Sequence, residues 1–180
     1  NAWRTCQGAD AGAAVAAGKT LLDSGLAKDA ELAEVQYRSG KALHALDRLD
    51  EAMEVLTASI ATKPSAQAFA ERGIVHYEKR AFDKAIADYT AAIRLDATQG
   101  EAFNNRAWTY YQAGQADKAL SDADAAVRLL AREAYVWDTR AHIHAKLGNR
   151  EAAIRDFRAA LAIDPSSQTS RQGLASLGVN

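Results

Sequence analysis

Residues 100–133 have the sequence GEAFNNRAWTYYQAGQADKALSDADAAVRLLARE, and this pattern is written three times in succession. The segments 66–99 and 134–167 align with it without a gap, so the period is 34 residues. Every copy has arginine at its seventh residue, alanine at its twentieth and aspartate at its twenty-third. A fixed period of this length predicts supersecondary units that stack on one another.

Within one unit the small and apolar residues fall into two helical stripes. Phe103, Ala107 and Tyr110 are spaced by four and three residues, which puts them on one face of a helix. Gly114 follows as a turn residue, and a second stripe begins at Ala119. Neither helix can bury its stripe alone, whereas alanines at a crossing let two helices approach closely. The sequence therefore predicts stacked pairs of antiparallel helices.

A 34-residue helix-turn-helix period resembles that of the tetratricopeptide repeat (TPR) family. Trp137, Gly148, Phe157 and Pro165 match the family pattern in the unit that begins at Ala134. The resemblance implies an all-α, right-handed TPR solenoid of antiparallel helix pairs with terminal capping helices. The sequence departs from the family pattern in three ways, and these departures put the local packing in question. Arginine replaces leucine at Arg72, Arg106 and Arg140. Histidine replaces tyrosine at His76 and His144, and Ala123 replaces the second aromatic residue.

Prolines and caps predict where the units begin and end. Pro64 and Pro165 fall where a second helix should stop, because proline cannot continue a helix. Asp10 is a candidate N-cap and Gly25 a candidate C-terminal stop for a leading helix. The predicted organisation is an N-terminal arm (1–9), an N-terminal capping helix that is a degenerate half repeat (10–28), a divergent TPR 1 (29–65), TPR 2 (66–99), TPR 3 (100–133), TPR 4 (134–167) and a C-terminal capping helix (168–180).

Composition argues against two classes of partner. The formal net charge is −1, and no excess of basic residues is available to neutralise phosphates, so we expect no nucleic-acid binding. No apolar run approaches the length of a membrane span, so we expect no membrane insertion.

The residues that could carry chemistry do not form a recognisable catalytic or metal site. Gly18-Lys19-Thr20 ends like a phosphate-binding loop, but Ala13 stands where that loop needs glycine. His142 and His144 are two residues apart on a helix, so they face different ways and cannot share a metal ion. No nucleophile motif is present. We expect no enzyme activity, no metal and no cofactor.

The recurring arginines admit two interpretations. Three guanidinium groups in register could hold the carboxylates of a partner. Alternatively, each arginine pairs with the aspartate sixteen residues later, because both members recur with the same period. The second interpretation is favoured.

The resemblance also implies a binding surface, because the first helices of successive TPR units line a concave groove. The partner is expected to be a protein or peptide segment, with aromatic side chains as anchors. The alternative is a structural accessory subunit or self-assembling scaffold that uses its convex face or its N-terminal arm, so a homo-oligomer or larger assembly stays open. The predicted groove residues are Tyr37, Lys41, His44, Ile74, Tyr77, Asn104, Trp108, Tyr111, Tyr135, Asp138 and His142.

The N-terminal arm suggests a location for the protein. The chain begins with Asn, which indicates processing or truncation, and removal of a signal peptide is one explanation. The opening around Trp3, Cys6 and Asp10 resembles exported bacterial TPR proteins, which implies a periplasmic or secreted protein. The alternative is a cytoplasmic one. In an exported protein the single cysteine would be a free thiol or form a bond to another chain.

Overall fold

The computed structural model describes residues 10–179, and all of the regular secondary structure in this range is helical. The predicted all-α fold class is therefore confirmed. Trp3, Cys6 and the rest of the arm lie outside the described residues, so a periplasmic or secreted location stays a prediction. The helices are α1 (Ala11–Ser24), α2 (Asp29–Ala45), α3 (Leu49–Thr62), α4 (Ala66–Glu78), α5 (Phe82–Leu95), α6 (Gly100–Gln112), α7 (Ala116–Leu129), α8 (Ala134–Lys146), α9 (Arg150–Ile163) and α10 (Gln168–Ser176).

The helices form two compact units, unit 1 (Asn1–Leu95) and unit 2 (Asp96–Asn180). In unit 1, α2 packs along α3 and α4 along α5, while α1 covers α2 and α3 lies against α4. In unit 2, α6 packs along α7 and α8 along α9, while α10 lies against α9 and α8. Each predicted TPR contains two of these helices. We call α2, α4, α6, α8 and α10 the first helices, and the others the second helices.

Polar caps and left-handed turns set the helix ends. Asp10 caps α1 as expected, because its Oδ1 accepts a hydrogen bond from the backbone N–H of Gly12 at 2.9 Å. The turn inside each helix pair contains one residue with positive φ, at +77° for Gly114 and +79° for Gly148. Asp47 and Arg80 occupy the same place in the two earlier pairs, with φ of 57° and 61°. The turn geometry is thus repeated even where glycine is absent.

A small residue at each helix crossing admits a large one from the second helix. A Cβ atom on Gly73 would lie 2.7 Å from the ring of Tyr89, and a Cβ atom on Gly40 would lie 2.6 Å from Cγ of Leu56. Tyr89 and Leu56 are almost completely buried. Glycine is therefore required at these crossings by the close approach of a bulky side chain.

The third pair fills the same space in another way. Ala107 and Ala123 are both small and fully buried, so the large residue expected from the second helix is missing. Ile143 of α8 packs into this cluster and is also fully buried. The replacement of an aromatic residue by Ala123 is thus compensated by the next helix pair.

Three ion pairs join the first and second helix of a pair, and they confirm the second interpretation of the arginines. Each guanidinium donates two hydrogen bonds to one carboxylate, with both aspartate oxygens engaged, and each aspartate is buried. The distances are 2.8 and 2.7 Å for Arg72 with Asp88, 2.6 and 2.8 Å for Arg106 with Asp122, and 2.7 and 2.9 Å for Arg140 with Asp156.

Arg72 and Arg140 also reach the preceding helix pair. Nη1 of Arg72 donates to Oγ1 of Thr57 on α3 at 3.2 Å, and Nη1 of Arg140 donates to Oδ1 of Asp124 on α7 at 2.9 Å. Thr57 and Asp124 hold the same position in their helices. One guanidinium therefore connects three helices, which fixes the register between successive pairs.

The junction between α9 and α10 is built differently. Leu174, which is 7% exposed, stands in α10 where the earlier first helices have arginine. Arg158 of α9 is exposed and stands where the earlier second helices have Thr57 or Asp124. Gly173 allows the ring of Phe157 to lie against the backbone of α10, because a Cβ atom there would overlap the ring. The centre of this junction is therefore apolar, with Leu174 packed in the same cluster as Phe157.

Candidate functional site

The predicted groove residues lie on the first helices of both units. In unit 1 they are Tyr37, Lys41 and His44 on α2 and Ile74 and Tyr77 on α4, which we call the unit-1 face. In unit 2 they are Asn104, Trp108 and Tyr111 on α6 and Tyr135, Asp138 and His142 on α8, which we call the unit-2 face. All of them are at least partly exposed except Asn104. The resemblance to TPR arrays implied exposure at these positions, and Asn104 is the exception.

The unit-2 face contains a cluster of three rings from two helices. Trp108 and Tyr111 are stacked, with ring centroids 5.0 Å apart and planes at 26°. The ring of His142 on α8 meets Trp108 edge-on at 5.8 Å and Tyr111 at 6.3 Å. The structure therefore brings three of the sequence-predicted residues together, and each keeps part of its surface in solvent. A partly exposed aromatic cluster is the kind of surface on which binding energy concentrates.

Asn104 lies one helical turn before Trp108 and is 7% exposed. No group among the described residues donates a hydrogen bond to its Oδ1 atom. Buried polar atoms in folded proteins nearly always have a hydrogen-bond partner. The oxygen itself is also buried, so this acceptor lies beneath the surface of the unit-2 face.

Asp138 and His142 hold each other and the last helix. Oδ1 of Asp138 accepts a hydrogen bond from the hydroxyl of Ser170 on α10 at 2.5 Å, and Nδ1 of His142 lies 2.9 Å from the carbonyl oxygen of Asp138. Burial alone would raise the pKa of Asp138, but the hydrogen bonds from His142 and Ser170 outweigh it and lower that pKa. Burial alone would lower the pKa of His142, but its hydrogen bonds to Asp138 outweigh burial and raise that pKa. Asp138 and His142 therefore already form hydrogen bonds within the fold.

Tyr135 lies in the first turn of α8, within the unit-2 face, and is 41% exposed. Partial burial raises the pKa of its hydroxyl, and the nearby carboxylates of Glu101 and Glu133 raise it further. Glu101 lies on α6 and is exposed. The sequence prediction omitted Glu101, although the repeat alignment indicates it, because Glu101 precedes Tyr135 by one period.

The unit-1 face is held together by a histidine rather than by stacked rings. Nδ1 of His44 lies 2.7 Å from Oε1 of Glu71, and its Nε2 lies 3.0 Å from Oε1 of Glu78. Burial lowers the pKa of His44, but the hydrogen bonds to Glu78 and Glu71 outweigh it and raise that pKa. His44 therefore links α2 to α4. On the same face Lys41 is exposed, and Tyr77 packs against Phe82 with ring centroids 5.7 Å apart.

The other residues that the sequence offered as phosphate-binding or metal-binding candidates have structural roles. Lys19 and Thr20 lie within helix α1, where Lys19 pairs with Asp23 at 2.9 Å. His76 and His144 are mostly buried at equivalent positions and lie 3.8 and 3.9 Å from Asp88 and Asp156. Within residues 10–179, no group of three or more His, Cys, Asp or Glu side chains could hold a metal ion. Over the same range, no helix has both the length and the apolar character of a membrane span.

Family models of the tetratricopeptide repeat match residues 33–65, 70–134 and 134–167. The chain belongs to the tetratricopeptide repeat family. In this TPR chain the matches leave out residues 1–32, 66–69 and 168–180. The first and last of these ranges contain the predicted arm and the two predicted capping helices. Among curated proteins, none matches the sequence.

Solved structures of other TPR proteins share the fold. A tetratricopeptide repeat protein from Parabacteroides merdae has a TM-score of 0.80 and 18% identity, covering 98% of this chain and 69% of that one. YrrB, described as a TPR protein with an unusual peptide-binding site, has a TM-score of 0.75 and 19% identity, covering 92% and 84%. The first TPR of Spaghetti (RPAP3), bound to the HSP90 peptide SRMEEVD, has a TM-score of 0.61 and 24% identity, covering 63% and 90%.

Proposed function

We propose that this TPR chain is a non-catalytic module that binds a peptide or protein segment along the exposed faces of its first helices. The observation that carries the proposal is the cluster of Trp108, Tyr111 and His142, whose three rings are all partly exposed. A peptide or protein segment that lies across this cluster can cover the exposed parts of the rings with its own side chains.

The distribution of charge supports binding through rings rather than through the recurring arginines. Arg72, Arg106 and Arg140 each donate two hydrogen bonds to a buried aspartate of their own helix pair. Releasing one of them to hold a partner's carboxylate would leave a buried aspartate without its counter-ion, which costs several kcal/mol.

Two of the similar structures agree with this function. One is a TPR domain with a bound HSP90 peptide, and the other is a TPR protein with a peptide-binding site. The identities are 24% and 19%, so these proteins support the type of partner and not its identity.

The test is the Trp108→Ala, Tyr111→Ala double variant, which removes two anchors from the unit-2 face. Wild type and variant are immobilised at equal density after circular dichroism shows equal helix content. Proteins retained from an extract of the source cells are identified by mass spectrometry. We expect wild type to retain a partner that the double variant loses.

The matched control is the Leu129→Ala, Ile163→Ala double variant, which removes exposed apolar side chains from second helices of the same unit. This control should retain the partner as wild type does. Equal retention by the aromatic variant would contradict binding at the unit-2 face. Loss with the control alone would place the interface on the second helices, as expected of a scaffold subunit.

A further inference from the structure

His142 is the ring of the aromatic cluster that can take up a proton near neutral pH. Its ring stands edge-on to Trp108 and Tyr111, at centroid distances of 5.8 and 6.3 Å, and to Phe157 of α9 at 4.9 Å. Its side chain is 26% exposed. A segment that covers the cluster therefore also removes water from this imidazole.

The hydrogen bonds of His142 fix where the proton goes. Nδ1 lies 2.9 Å from the carbonyl oxygen of Asp138, and a carbonyl oxygen can only accept, so Nδ1 carries a hydrogen in both protonation states. Nε2 is therefore the atom that gains or loses the proton. Within residues 10–179, Nε2 has no hydrogen-bond partner and is not buried, so water accepts the hydrogen bond of the charged form.

Asp138 is the carboxylate that faces His142. Its Oδ2 lies 3.4 Å from Nδ1 of His142, and its Oδ1 accepts a hydrogen bond from Ser170 of α10. Over the described residues, α6 and α9 meet the imidazole with aromatic rings rather than with charges. Burial would raise the pKa of Asp138, but hydrogen bonds from His142 and Ser170 lower it, so this carboxylate stays ionised above about pH 5. The charge that changes in the cluster between mild acid and mild alkali is thus that of His142.

Covering the cluster disfavours the charged form of His142. In the free chain, burial lowers the pKa of His142, but its hydrogen bonds to Asp138 outweigh burial and raise that pKa above its ordinary value. An apolar side chain laid over the ring takes water from Nε2 and offers no acceptor in its place. The contacts with Asp138 and with the three rings exist before binding, so they do not offset this loss.

We propose that the unit-2 face binds an uncharged, apolar stretch of its segment while His142 is neutral, and releases that stretch when His142 takes up a proton. This rests on the proposed function. The apolar side chains cover Trp108, Tyr111 and His142 together. The proton comes from solvent, adds to Nε2 and draws water back to the ring. Binding therefore strengthens as the pH rises through the pKa of His142 in the free chain.

The probe is a peptide selected on the wild-type chain at about pH 8.5, with the Trp108→Ala, Tyr111→Ala variant as the counter-selection. Two display libraries of random nine-residue peptides are used, one unrestricted and one without His, Cys, Asp and Glu. The best peptide of the restricted library is synthesised with blocked termini, so that it does not titrate. Fluorescence anisotropy measures its affinity between about pH 5.5 and pH 8.5. We expect binding to be about tenfold or more weaker at the acid end.

Two variants assign the pH dependence to one residue. His142→Gln keeps a polar group and removes the titration, so its affinity should differ by less than about twofold between the two pH values. His144→Gln is the matched control on the same helix, because this imidazole lies 3.9 Å from Asp156 and faces another way. It should keep the pH dependence of wild type. Circular dichroism at both pH values checks that each variant is folded.

NMR titration of the imidazole Cε1–H signals is a second measurement, and it does not depend on binding by a variant. The signal of His142 is the one that is absent from His142→Gln. The pKa of His142 should be lower in the peptide complex than in the free chain, by an amount that accounts for the change in affinity.

The outcomes separate the two proposals. Failure of both libraries to enrich a peptide over the aromatic variant would overturn the proposed function itself. Three results would overturn release by acid while leaving the binding face in place. They are enrichment from the unrestricted library alone, binding that is equally tight or tighter in acid, and an unchanged pKa of His142 in the complex.

Discussion

His44 and His76 lie on neighbouring first helices of unit 1, but their surroundings shift them in opposite directions. His44 has a carboxylate at each ring nitrogen, and these hydrogen bonds raise its pKa despite burial. Burial is the main effect on His76 and lowers its pKa, because Asp88 at 3.8 Å is already bonded to Arg72. The protonated form is favoured by folding in one case and the neutral form in the other.

We expect His44→Gln and His76→Gln to have opposite pH dependence. The stabilisation from protonated His44 is complete below its ordinary pKa of 6.5 and is lost as the pH rises through its raised value. The stabilisation from neutral His76 is complete above 6.5 and is lost as the pH falls through its lowered value. Urea unfolding at about pH 5.5 and pH 8.5 should therefore show the larger loss for His44→Gln in acid and for His76→Gln in alkali.

Each variant serves as the control for the other, since both remove one imidazole from unit 1. Equal losses at the two pH values would contradict the assignment for that residue. A larger loss for His44→Gln in alkali would show that the imidazole is neutral between its two glutamates.

Single residues also show what the sequence did not reveal. Gly114 and Gly148 were recognisable turn residues, because glycine adopts positive φ without a steric penalty. Asp47 and Arg80 adopt the same left-handed conformation and carry no such signal, since neither residue type identifies it. Only the repeat alignment indicates that these two positions share the turn.

At the scale of helices, the arginine–aspartate pairs decide how a first helix lies on its second helix. The carboxylate of Asp156 is buried under α8, and the guanidinium of Arg140 also lies 5.0 Å from the centroid of the Trp137 ring. A buried ion pair adds little net stability over apolar residues of similar size, but a buried charge that has lost its partner is costly.

We expect Asp156→Ala to reduce the free energy of unfolding by about 3 kcal/mol, since it leaves the Arg140 guanidinium with only Asp124 as its counter-ion. The double variant Arg140→Met, Asp156→Leu removes both charges and should fall within about 1 kcal/mol of wild type. Chemical denaturation of the single and double variants measures both values.

Glu151→Ala is the control for this pair, because it removes an exposed carboxylate from the same helix as Asp156. Its cost should not exceed about 1 kcal/mol. A double variant as unstable as Asp156→Ala would show that the lost packing of the arginine stem, rather than the unpaired charge, accounts for the loss.

For the molecule as a whole, the period of 34 residues was enough to predict helix pairs, their order and the partners of the recurring arginines. The period did not predict which of the groove residues form hydrogen bonds with neighbouring helices of the fold. Asp138 binds Ser170 of α10, and His44 binds Glu71 and Glu78, because neighbouring helices bring these groups together from distant parts of the chain. Such contacts depend on the stacking of pairs and not on the pattern within one repeat.

The junction that follows α9 should reject another repeat of the same sequence. In a chain lengthened by a second copy of residues 134–167 after residue 167, the copied arginine equivalent to Arg140 would meet Arg158 instead of Asp124. Arg158→Asp should then raise the Tm of the lengthened chain by about 2–4 °C, the size of a gain of roughly 1 kcal/mol. Calorimetry of both chains measures the shift, and the same substitution in the chain without the added copy should leave its Tm unchanged.

An equal shift in both chains would contradict this account. If only the lengthened chain shows the shift, the two kinds of junction determine which repeat of the gene can be duplicated. Unequal recombination that copies residues 100–133 places the copied arginine beside Asp124, as Arg140 is now, whereas a copy of residues 134–167 places its arginine opposite Arg158. Tandem duplication would then be accepted for residues 100–133 and penalised for residues 134–167, so that one exposed side chain decides which repeat can be copied.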